Sequence, residues 1–287
     1  MRRRWLLLLS AIWGASFLFM RIAAPELGPL PTTFTRVAIA ALALTPFLLG
    51  REQRTALRQH RRSLLTLGIF NSAVPFSLLC WASLQLEAGF TSLLNASTPI
   101  STALIGLWWL RLPLSRFQWA GLAIGLSGIA ILTSDQLDFT QDGAGWSIIA
   151  VLFATCCYGY AGHYAKVRLP DVSPLAVSAG SLLASTLALL PFVFLFEAPQ
   201  ALGAATVWSA LALGLLCTAV AFILFFDLLK RNGATAATTV TFVIPVFGIL
   251  WGSLFLQEQI TGRMILGMVI ALLGTGLVTN IIPRRRR

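Results

Sequence analysis

Charged side chains are scarce in this sequence: Asp, Glu, Lys and Arg make up 11% of the 287 residues, whereas hydrophobic residues make up 57%. A soluble domain carries about 25% charged residues, so this composition excludes an ordinary soluble protein. The apolar residues are spread along the whole chain rather than collected in one anchor. The composition therefore predicts an integral membrane protein with many membrane segments.

Acidic residues are scarcer than basic residues, ten against 21, and the formal net charge is +11. Such an excess could indicate nucleic-acid binding, but the basic residues fall in short clusters between apolar stretches. That distribution is typical of membrane topology rather than of a polyanion-binding surface. We therefore expect the lipid bilayer and a small-molecule substrate as partners, and no nucleic acid.

Sequence motifs of enzymes and metal sites are also absent. The sequence has no Walker phosphate loop, no HExxH zinc motif, no GxSxG nucleophile motif and no Cys/His cluster with metal spacing. The four cysteines lie in apolar segments and are interpreted as packing residues. We therefore expect no catalytic residues, no cofactor and no metal, and not an enzyme. A membrane-embedded lipid-modifying enzyme is the distant alternative.

Apolar runs long enough to cross a bilayer core, about 20 residues each, occur ten times. The basic start of the chain resembles a signal peptide, but no small-residue cleavage site follows, so the first run is interpreted as a membrane helix. The sequence thus predicts an all-α integral membrane protein with ten transmembrane helices. The runs span about residues 5–23, 32–50, 64–84, 88–110, 117–134, 144–166, 173–195, 206–229, 234–256 and 263–281.

The distribution of charge predicts the orientation of these helices. Eighteen of the 21 basic residues fall at the two termini or in alternate connections, and seven of the ten acidic residues fall in the remaining connections. Basic residues in short loops resist translocation across the membrane. We therefore expect a multi-pass protein of the bacterial inner membrane whose N- and C-termini are both cytoplasmic.

The chain also contains a weak internal repeat. At an offset of 145 residues Trp13 falls on Tyr158, and at an offset of 146 residues Pro99 falls on Pro245. Each copy holds five predicted helices, an odd number, so the second copy must be inverted in the membrane. Inverted repeats are typical of secondary transporters. We predict two five-helix repeats, 1–134 and 135–287, that give states open to opposite sides.

Several residues carry a resemblance to a known family. They are Trp13 and Gly14, Arg36, the stretch from Ala88 through Pro99 to Gly128, the stretch from Gly233 through Pro245 to Glu258, and Gly267 and Gly274. On these residues the chain resembles the ten-helix EamA-type branch of the drug/metabolite transporter superfamily, over nearly its whole length. The resemblance implies a two-repeat fold that transports metabolites or drugs.

One position departs from the pattern of that family. A Glu commonly follows the fourth helix in the family, but Leu112 stands here at the place that matches Glu258. This departure puts in doubt any role that requires both acids. The aromatic residues of the chain further resemble those of the YddG-like exporters of aromatic amino acids.

Two prolines lie near the middle of their predicted helices, among polar residues. A mid-helix proline frees a backbone carbonyl, which must face protein or a water-filled cavity. The pair suggests a midplane substrate cavity, although local Ser and Thr could satisfy the carbonyls and single aromatics could face lipid. The residues expected to bind substrate are Trp13, Asn71, Phe76, Trp81, Asn95, Thr98, Pro99, Tyr158, His163, Phe222, Phe226, Thr241 and Pro245.

Four charged residues are candidates for gating or charge pairs: Arg36, Asp227, Glu258 and Arg263. Arg36 lies inside the second predicted helix, where it could bind a carboxylate, support helix ends or extend its charge to the interface. Asp227 could pair with the basic residues one turn later. Glu258 is expected at the outer side, in a structural or gating pair that could include Arg263.

These observations predict a secondary transporter that exports small metabolites, above all aromatic or other amphipathic amino acids, by alternating access around the midplane cavity. The alternative is transport of drugs or of other metabolites within the same superfamily. No acid lies convincingly at mid-membrane, which favours facilitated transport or exchange over proton coupling. The substrate and the transport direction stay open, and we expect a monomer or a homodimer.

Overall fold

The computed structural model describes residues 2–140, 143–196, 201–232 and 234–279, and within those ranges the chain is helical and without strands. Six stretches are long and apolar enough to cross a membrane: Arg4–Leu27, Pro29–Leu48, Arg61–Ala82, Gly145–Arg168, Pro174–Val193 and Ala204–Phe225. Two shorter apolar helices, Val240–Leu256 and Gly262–Val278, accompany them. The prediction of an all-α membrane protein is confirmed at this level.

The first half of the chain forms eight α-helices. A short 3₁₀ helix, Thr45–Leu48, follows α2, and a π-helical turn, Ile69–Ala73, joins α4 and α5 into one continuous segment. One of the α-helices, α3, is short and polar and carries Arg51, Arg54 and Arg58, in a connection where the sequence predicts only a loop. The helices are α1 Arg2–Leu27, α2 Pro29–Leu44, α3 Arg51–Gln59, α4 Arg61–Gly68, α5 Val74–Ala82, α6 Ala88–Asn95, α7 Thr98–Leu110 and α8 Arg116–Thr133.

The second half forms six helices, and a second π-helical turn, Leu215–Val220, joins α11 to α12. Within the described residues, each predicted apolar run of this half corresponds to one of these helices or to a joined pair. The helices are α9 Gly145–Arg168, α10 Pro174–Val193, α11 Ala204–Gly214, α12 Ala221–Asn232, α13 Ala234–Leu256 and α14 Gly262–Val278.

Irregular backbone recurs in the two halves at the offset found in the sequence. The π-helical turns begin at Ile69 and Leu215, which are matching positions of the repeat. The residues just beyond α7 and α13, Arg111 and Gln257, also match, and both adopt the left-handed region, with φ of 54° and 58°. Non-glycine residues occupy that region rarely, so a coincidence at matching positions indicates that both halves are built on the same backbone plan.

The two prolines of the predicted kinked helices behave differently. The sequence predicts one helix over 88–110, but the structure divides it into α6 and α7, and Pro99 lies in the first turn of α7, where a missing N–H costs little. The carbonyl of Asn95 accepts a hydrogen bond from Thr98 Oγ1 at 2.7 Å, so it is satisfied locally. Pro245 lies inside the continuous helix α13 and is buried.

Close backbone packing joins α8 to α14. A Cβ atom on Gly121 would lie 2.7 Å from the carbonyl oxygen of Gly274, and one on Gly128 would lie 2.9 Å from Cα of Ala271. Real Cβ atoms do not approach backbone so closely, so only glycine fits at these crossings. The glycines of α8, Gly121 and Gly128, therefore serve packing within the chain.

The remaining helices surround a central space. Helix α1 packs on α13 and α11, α2 packs on α10, and α9 packs on α5 and α7. Each of these pairs joins the first half of the chain to the second. The space between the halves is consequently bounded by both repeats.

Candidate substrate cavity

A cavity of about 1240 Å³ lies between the two halves. It reaches the end of the helix bundle at which α7, α9 and α14 end and α8 and α10 begin; Leu112, Gln118, Leu169 and Thr279 line it there. None of the described residues in the opposite connections 83–87 and 257–261 lines it. Within the described part of the chain the cavity is therefore open at one end and closed at the other.

Most residues predicted to bind substrate line this cavity, together with Arg36. Two described residues do not: Trp81 is 42% exposed on α5 and lies outside the cavity, and Pro245 is buried within α13 without lining it. The prediction for Phe226 falls on a side chain outside the described part of the structure. The predicted residues that the cavity brings together are Trp13, Asn71, Phe76, Asn95, Thr98, Pro99, Tyr158, His163, Phe222 and Thr241.

Arg36 is the charged residue buried deepest in the cavity wall, with only 5% of its surface exposed. Its Nε donates to Thr218 Oγ1 at 3.0 Å, and its guanidinium carbon lies 3.8 Å from the centroid of the Phe76 ring. Nη1 lies 3.8 Å from the sulfur of Met20, which is a weak acceptor. Among the described residues, no carboxylate lies within ion-pair distance of Arg36.

The hydroxyl that holds Arg36 is supplied by the second π-helical turn. Thr218 Oγ1 donates to the carbonyl oxygen of Leu213 at 2.7 Å, so its lone pairs are left to accept from Nε of Arg36. Single π-helical turns inside α-helices often occur at functional sites because they turn side chains and backbone groups out of register. Sequence reasoning missed Thr218, which is separated from Arg36 by 182 residues.

Aromatic rings form much of the remaining wall. The rings of Phe76 and Tyr158 lie 6.4 Å apart between centroids, and those of Trp13 and Phe225 lie 5.3 Å apart. Phe225 is a further lining residue that the sequence analysis missed. A wall of this kind suits the apolar or aromatic part of an amphipathic ligand, whereas a few polar groups would fix its orientation.

Few polar groups lie in the cavity wall. His163 Nε2 lies 2.9 Å from the carbonyl oxygen of Thr102, so one ring nitrogen is held by backbone. Asn95 Oδ1 and Ser16 Oγ are buried and have no hydrogen-bond partner among the described residues, although both residues line the cavity. Buried polar atoms in proteins are nearly always hydrogen-bonded, so the Asn95 oxygen marks polar capacity that the protein itself leaves unused, whereas Ser16 lies beside the thiol of Cys217.

The closed end is held by an acid from the second half. The carboxylate of Glu258 accepts from the backbone N–H of Ala88 at 2.6 Å and of Gly89 at 3.0 Å, at the first turn of α6. A carboxylate at a helix N-terminus gains from charge-assisted hydrogen bonds and from the helix dipole. A Cβ at Gly252 would overlap this carboxylate, so glycine makes room for it.

A second acid makes the reciprocal contact between the halves. Glu26 Oε2, at the end of α1, accepts from the N–H of Gly203 at 2.9 Å and from Thr206 Oγ1 at 2.7 Å, at the first turn of α11. Glu258 and Glu26 thus each cap a helix of the other half. The closed end is therefore connected by hydrogen bonds in both directions.

Two further charged residues surround the Glu258 contact. Burial and the nearby charge of Glu258 raise the pKa of Glu87, and Arg21 opposes that shift. Arg21 Nη1 also donates to the carbonyl oxygens of Ser83 and Leu84, at 2.5 and 2.8 Å. The connection before α6 is therefore held by Arg21 through its carbonyl oxygens and by Glu258 through the backbone N–H groups that follow it.

The other candidate charges are arranged differently from expectation. Arg263 forms an ion pair with Asp135 at 2.5 Å and not with Glu258, and both side chains are about half exposed. Asp227 is exposed and does not line the cavity. The side chains of the basic residues one turn after Asp227 lie outside the described part of the structure.

A helical membrane protein with a large cavity between two related halves, open at one end, belongs by its architecture to the membrane transporters. Comparison with known proteins identifies the family. Residues 4–134 and 145–280 each match the EamA-like transporter family. The chain belongs to that family, which confirms the resemblance to the EamA-type branch of the drug/metabolite transporter superfamily.

Curated relatives cover nearly the whole chain. An uncharacterized transporter of Bacillus subtilis, YoaV, is 27% identical over 96% of both chains. A protein of Streptantibioticus cattleyicolor named a probable terminal-alkyne amino-acid exporter is 24% identical, over 99% of this chain and 95% of the relative. A probable amino-acid metabolite efflux pump of Escherichia coli is 23% identical, over 98% and 95%.

A solved crystal structure of another protein has the same fold. It superimposes with a TM-score of 0.67 at 19% sequence identity, over 98% of each chain. At this identity the likeness shows the fold alone. It therefore adds nothing on the substrate.

Proposed function

We propose that this protein exports small metabolites, above all amphipathic amino acids, across the bacterial inner membrane by alternating access. In this proposal ten membrane segments form two inverted five-helix repeats and both termini are cytoplasmic. The cavity then opens to the cytoplasm, because the end where it opens carries the basic connections between α7 and α8 and between α9 and α10.

The observation that carries the proposal is the asymmetry of the cavity, which is open at one end and closed at the other by contacts between the halves. Such a state is one of the two that alternating access requires. In the other state the contacts of Glu258 and Glu26 would separate and the cytoplasmic ends would close. Two halves built on one plan make the two states similar in free energy.

The proposed substrate class draws on the relatives and on the cavity wall. Two relatives carry names that refer to amino acids or their metabolites as exported compounds. The wall combines one buried guanidinium with several aromatic rings, a set that suits a compound with a charged group and an apolar body. YddG-like export of aromatic amino acids remains a prediction within this proposal.

A flux measurement with purified protein in liposomes tests the function. Liposomes loaded with unlabelled solute should accumulate the labelled solute by counterflow for at least one member of a panel of aromatic amino acids, threonine, cysteine, lysine derivatives and monocarboxylates. Protein-free liposomes give the background. Correctly folded protein that moves no member of the panel would contradict metabolite export, and flux of a cationic dye alone would establish the multidrug alternative instead.

A further inference from the structure

We propose that Arg36 forms a single carboxylate-binding subsite in the cavity, so that substrates carry one carboxylate on an aromatic or apolar body. The inference rests on the proposed transport function and specifies the substrate class of the same cavity. Its basis is an arginine that is 5% exposed, lines the cavity and has no carboxylate partner among the described residues.

The guanidinium is fixed on three sides, which leaves a defined edge for a ligand. Thr218 accepts from Nε, the ring of Phe76 lies against one face, and the sulfur of Met20 lies near Nη1. The structure gives Nη2 no acceptor among the described residues, and Met20 is a poor acceptor that a carboxylate oxygen would outcompete. A carboxylate that approached this edge would accept two parallel N–H bonds.

The charge balance around Arg36 favours binding of an anion. Burial of a charged group without a partner of opposite sign is costly, and a cation held only by a hydroxyl, a thioether and an aromatic face is incompletely compensated. A ligand carboxylate would supply the missing charge in a partly dehydrated wall, where its attraction is stronger than in water. Binding should therefore raise the stability of the folded protein.

The second half does not repeat this site. Ser181, the counterpart of Arg36 in the repeat, is buried and lines the cavity, and its hydroxyl donates to the carbonyl oxygen of Ser178. Ser72, the counterpart of Thr218 in the first half, is buried without a partner among the described residues. The two repeats thus provide one guanidinium, that of Arg36, and one hydroxyl that binds it, that of Thr218. For this reason we infer one carboxylate per substrate.

The charge of the whole cavity agrees with this choice. Its described lining contains Arg36 and Lys166 and no Asp or Glu. Lys166 is exposed near the open end, where it would attract anions without holding them in one orientation. A cation without a carboxylate would meet no acid in this lining, whereas the aromatic rings accommodate the remainder of an anion or a zwitterion.

Three compounds that share a phenyl ring separate the contributions of the charged groups. L-phenylalanine has a carboxylate and an ammonium group, 3-phenylpropanoate has only the carboxylate, and phenethylamine has only the ammonium group. Calorimetric titration and thermal-shift measurements on the purified protein should detect binding of the first two and not of the third. Binding of phenethylamine as tight as that of 3-phenylpropanoate would overturn the inference.

Variants locate the effect at Arg36. We expect Arg36→Gln to weaken 3-phenylpropanoate binding about 100-fold and Arg36→Lys, which keeps the charge but not the planar fork, about tenfold. Thr218→Val leaves the charge of Arg36 and the side-chain volume at position 218 unchanged but removes the hydroxyl that accepts from Nε, so it should weaken binding roughly fivefold. Lys166→Gln also removes one cation from the lining but none from the subsite; it should weaken binding only severalfold at most, well short of the effect of Arg36→Gln, so it is the matched control.

The unliganded stability of Arg36→Gln distinguishes a binding role from a structural one. A subsite predicts a melting temperature equal to or above that of the wild type, with loss of the ligand-induced rise, because an uncompensated buried charge has been removed. A melting temperature that falls while carboxylate binding persists would overturn the inference. If other solutes are transported but affinity does not depend on the carboxylate, the subsite fails and the transport function stands. If nothing is transported, the proposed function itself fails.

Discussion

Glu258 offers the most direct test of how the closed end is held. Substitution by Gln keeps the size of the side chain and one carbonyl oxygen but removes the charge and replaces the other oxygen by NH2. The carboxylate accepts from two neighbouring backbone N–H groups at the start of α6, at 2.6 and 3.0 Å. An amide can accept only one of these bonds, and its NH2 would face a second donor.

The expected magnitude follows from those two bonds. A hydrogen bond to a charged group contributes about 1.5–3 kcal/mol, and a carboxylate at a helix N-terminus gains about 0.3–1 kcal/mol from the dipole. Loss of one bond alone should therefore weaken closure by about 1.5–3 kcal/mol, and loss of the charge adds the smaller dipole contribution. Since about 1.4 kcal/mol corresponds to a factor of ten, the open population should rise about 10- to 100-fold.

Amide hydrogen exchange measures this population where the contact is made. In the closed state the N–H groups of Ala88 and Gly89 are bonded to Glu258, and they exchange when the end opens. A peptide that covers residues 84–94 should exchange about 10- to 100-fold faster in Glu258→Gln. Asp135→Asn is the matched control, because it removes a half-exposed carboxylate from another ion pair and should change that peptide little.

The reasoning would be refuted by one specific pattern. If exchange of residues 84–94 in Glu258→Gln stayed within twofold of the wild type, the carboxylate would not hold the closed end. Faster exchange in both variants to the same degree would also refute it, because the effect would then follow from any loss of negative charge. A change confined to Glu258→Gln supports the helix-capping contact.

Two other substitutions at related positions give further predictions. Leu112→Glu places an acid at the position that matches Glu258 and should favour closure of the cavity's open end. If closing that end opens the opposite one, the amides of residues 84–94 should exchange several-fold faster. Leu112→Gln, which lacks the charge, should have little effect. Glu87→Gln should raise the free energy of unfolding at pH 7 by about a few tenths of a kcal/mol, measured by thermal unfolding. Its raised pKa means that folding favours the protonated form, so the stability it contributes is present at low pH and lost as pH rises through that pKa. The advantage of the variant should therefore disappear near pH 4, even though Arg21 partly favours the charged form; an advantage that grew towards pH 4 would contradict the sign of this argument.

Much of the architecture could be predicted from the sequence because it depends on composition and periodicity. Apolar length locates the helical segments, since a bilayer core requires about 20 apolar residues. The offset of the sequence repeat reappears in the structure, in the π-helical turns and in the left-handed residues Arg111 and Gln257. Mid-helix aromatic and polar residues in the first half, such as Trp13 and Phe76, do line the cavity.

Other features depend on contacts that a sequence does not display. Phe76 and Trp81 both lie on α5, but only Phe76 lines the cavity, because five residues separate them and an α-helix turns about 100° per residue, which places them about 140° apart. Glu258 pairs with backbone amides 170 residues away rather than with Arg263, which is close in sequence. Partners of this kind are backbone groups, which every residue has, so they cannot be predicted from residue types.

The two halves share a backbone plan, and in the proposed mechanism their differences would distinguish the two states. At the ends, Glu258 holds one side closed, whereas its counterpart Leu112 has no acceptor with which to hold the other. In the cavity, Arg36 presents a cation, whereas its counterpart Ser181 does not. A symmetric pair of acids would hold both ends alike, and a symmetric pair of arginines would select dianions. In the proposed mechanism, the asymmetry at one pair of positions would therefore set which end is closed, and the asymmetry at the other pair would set the charge of the substrate.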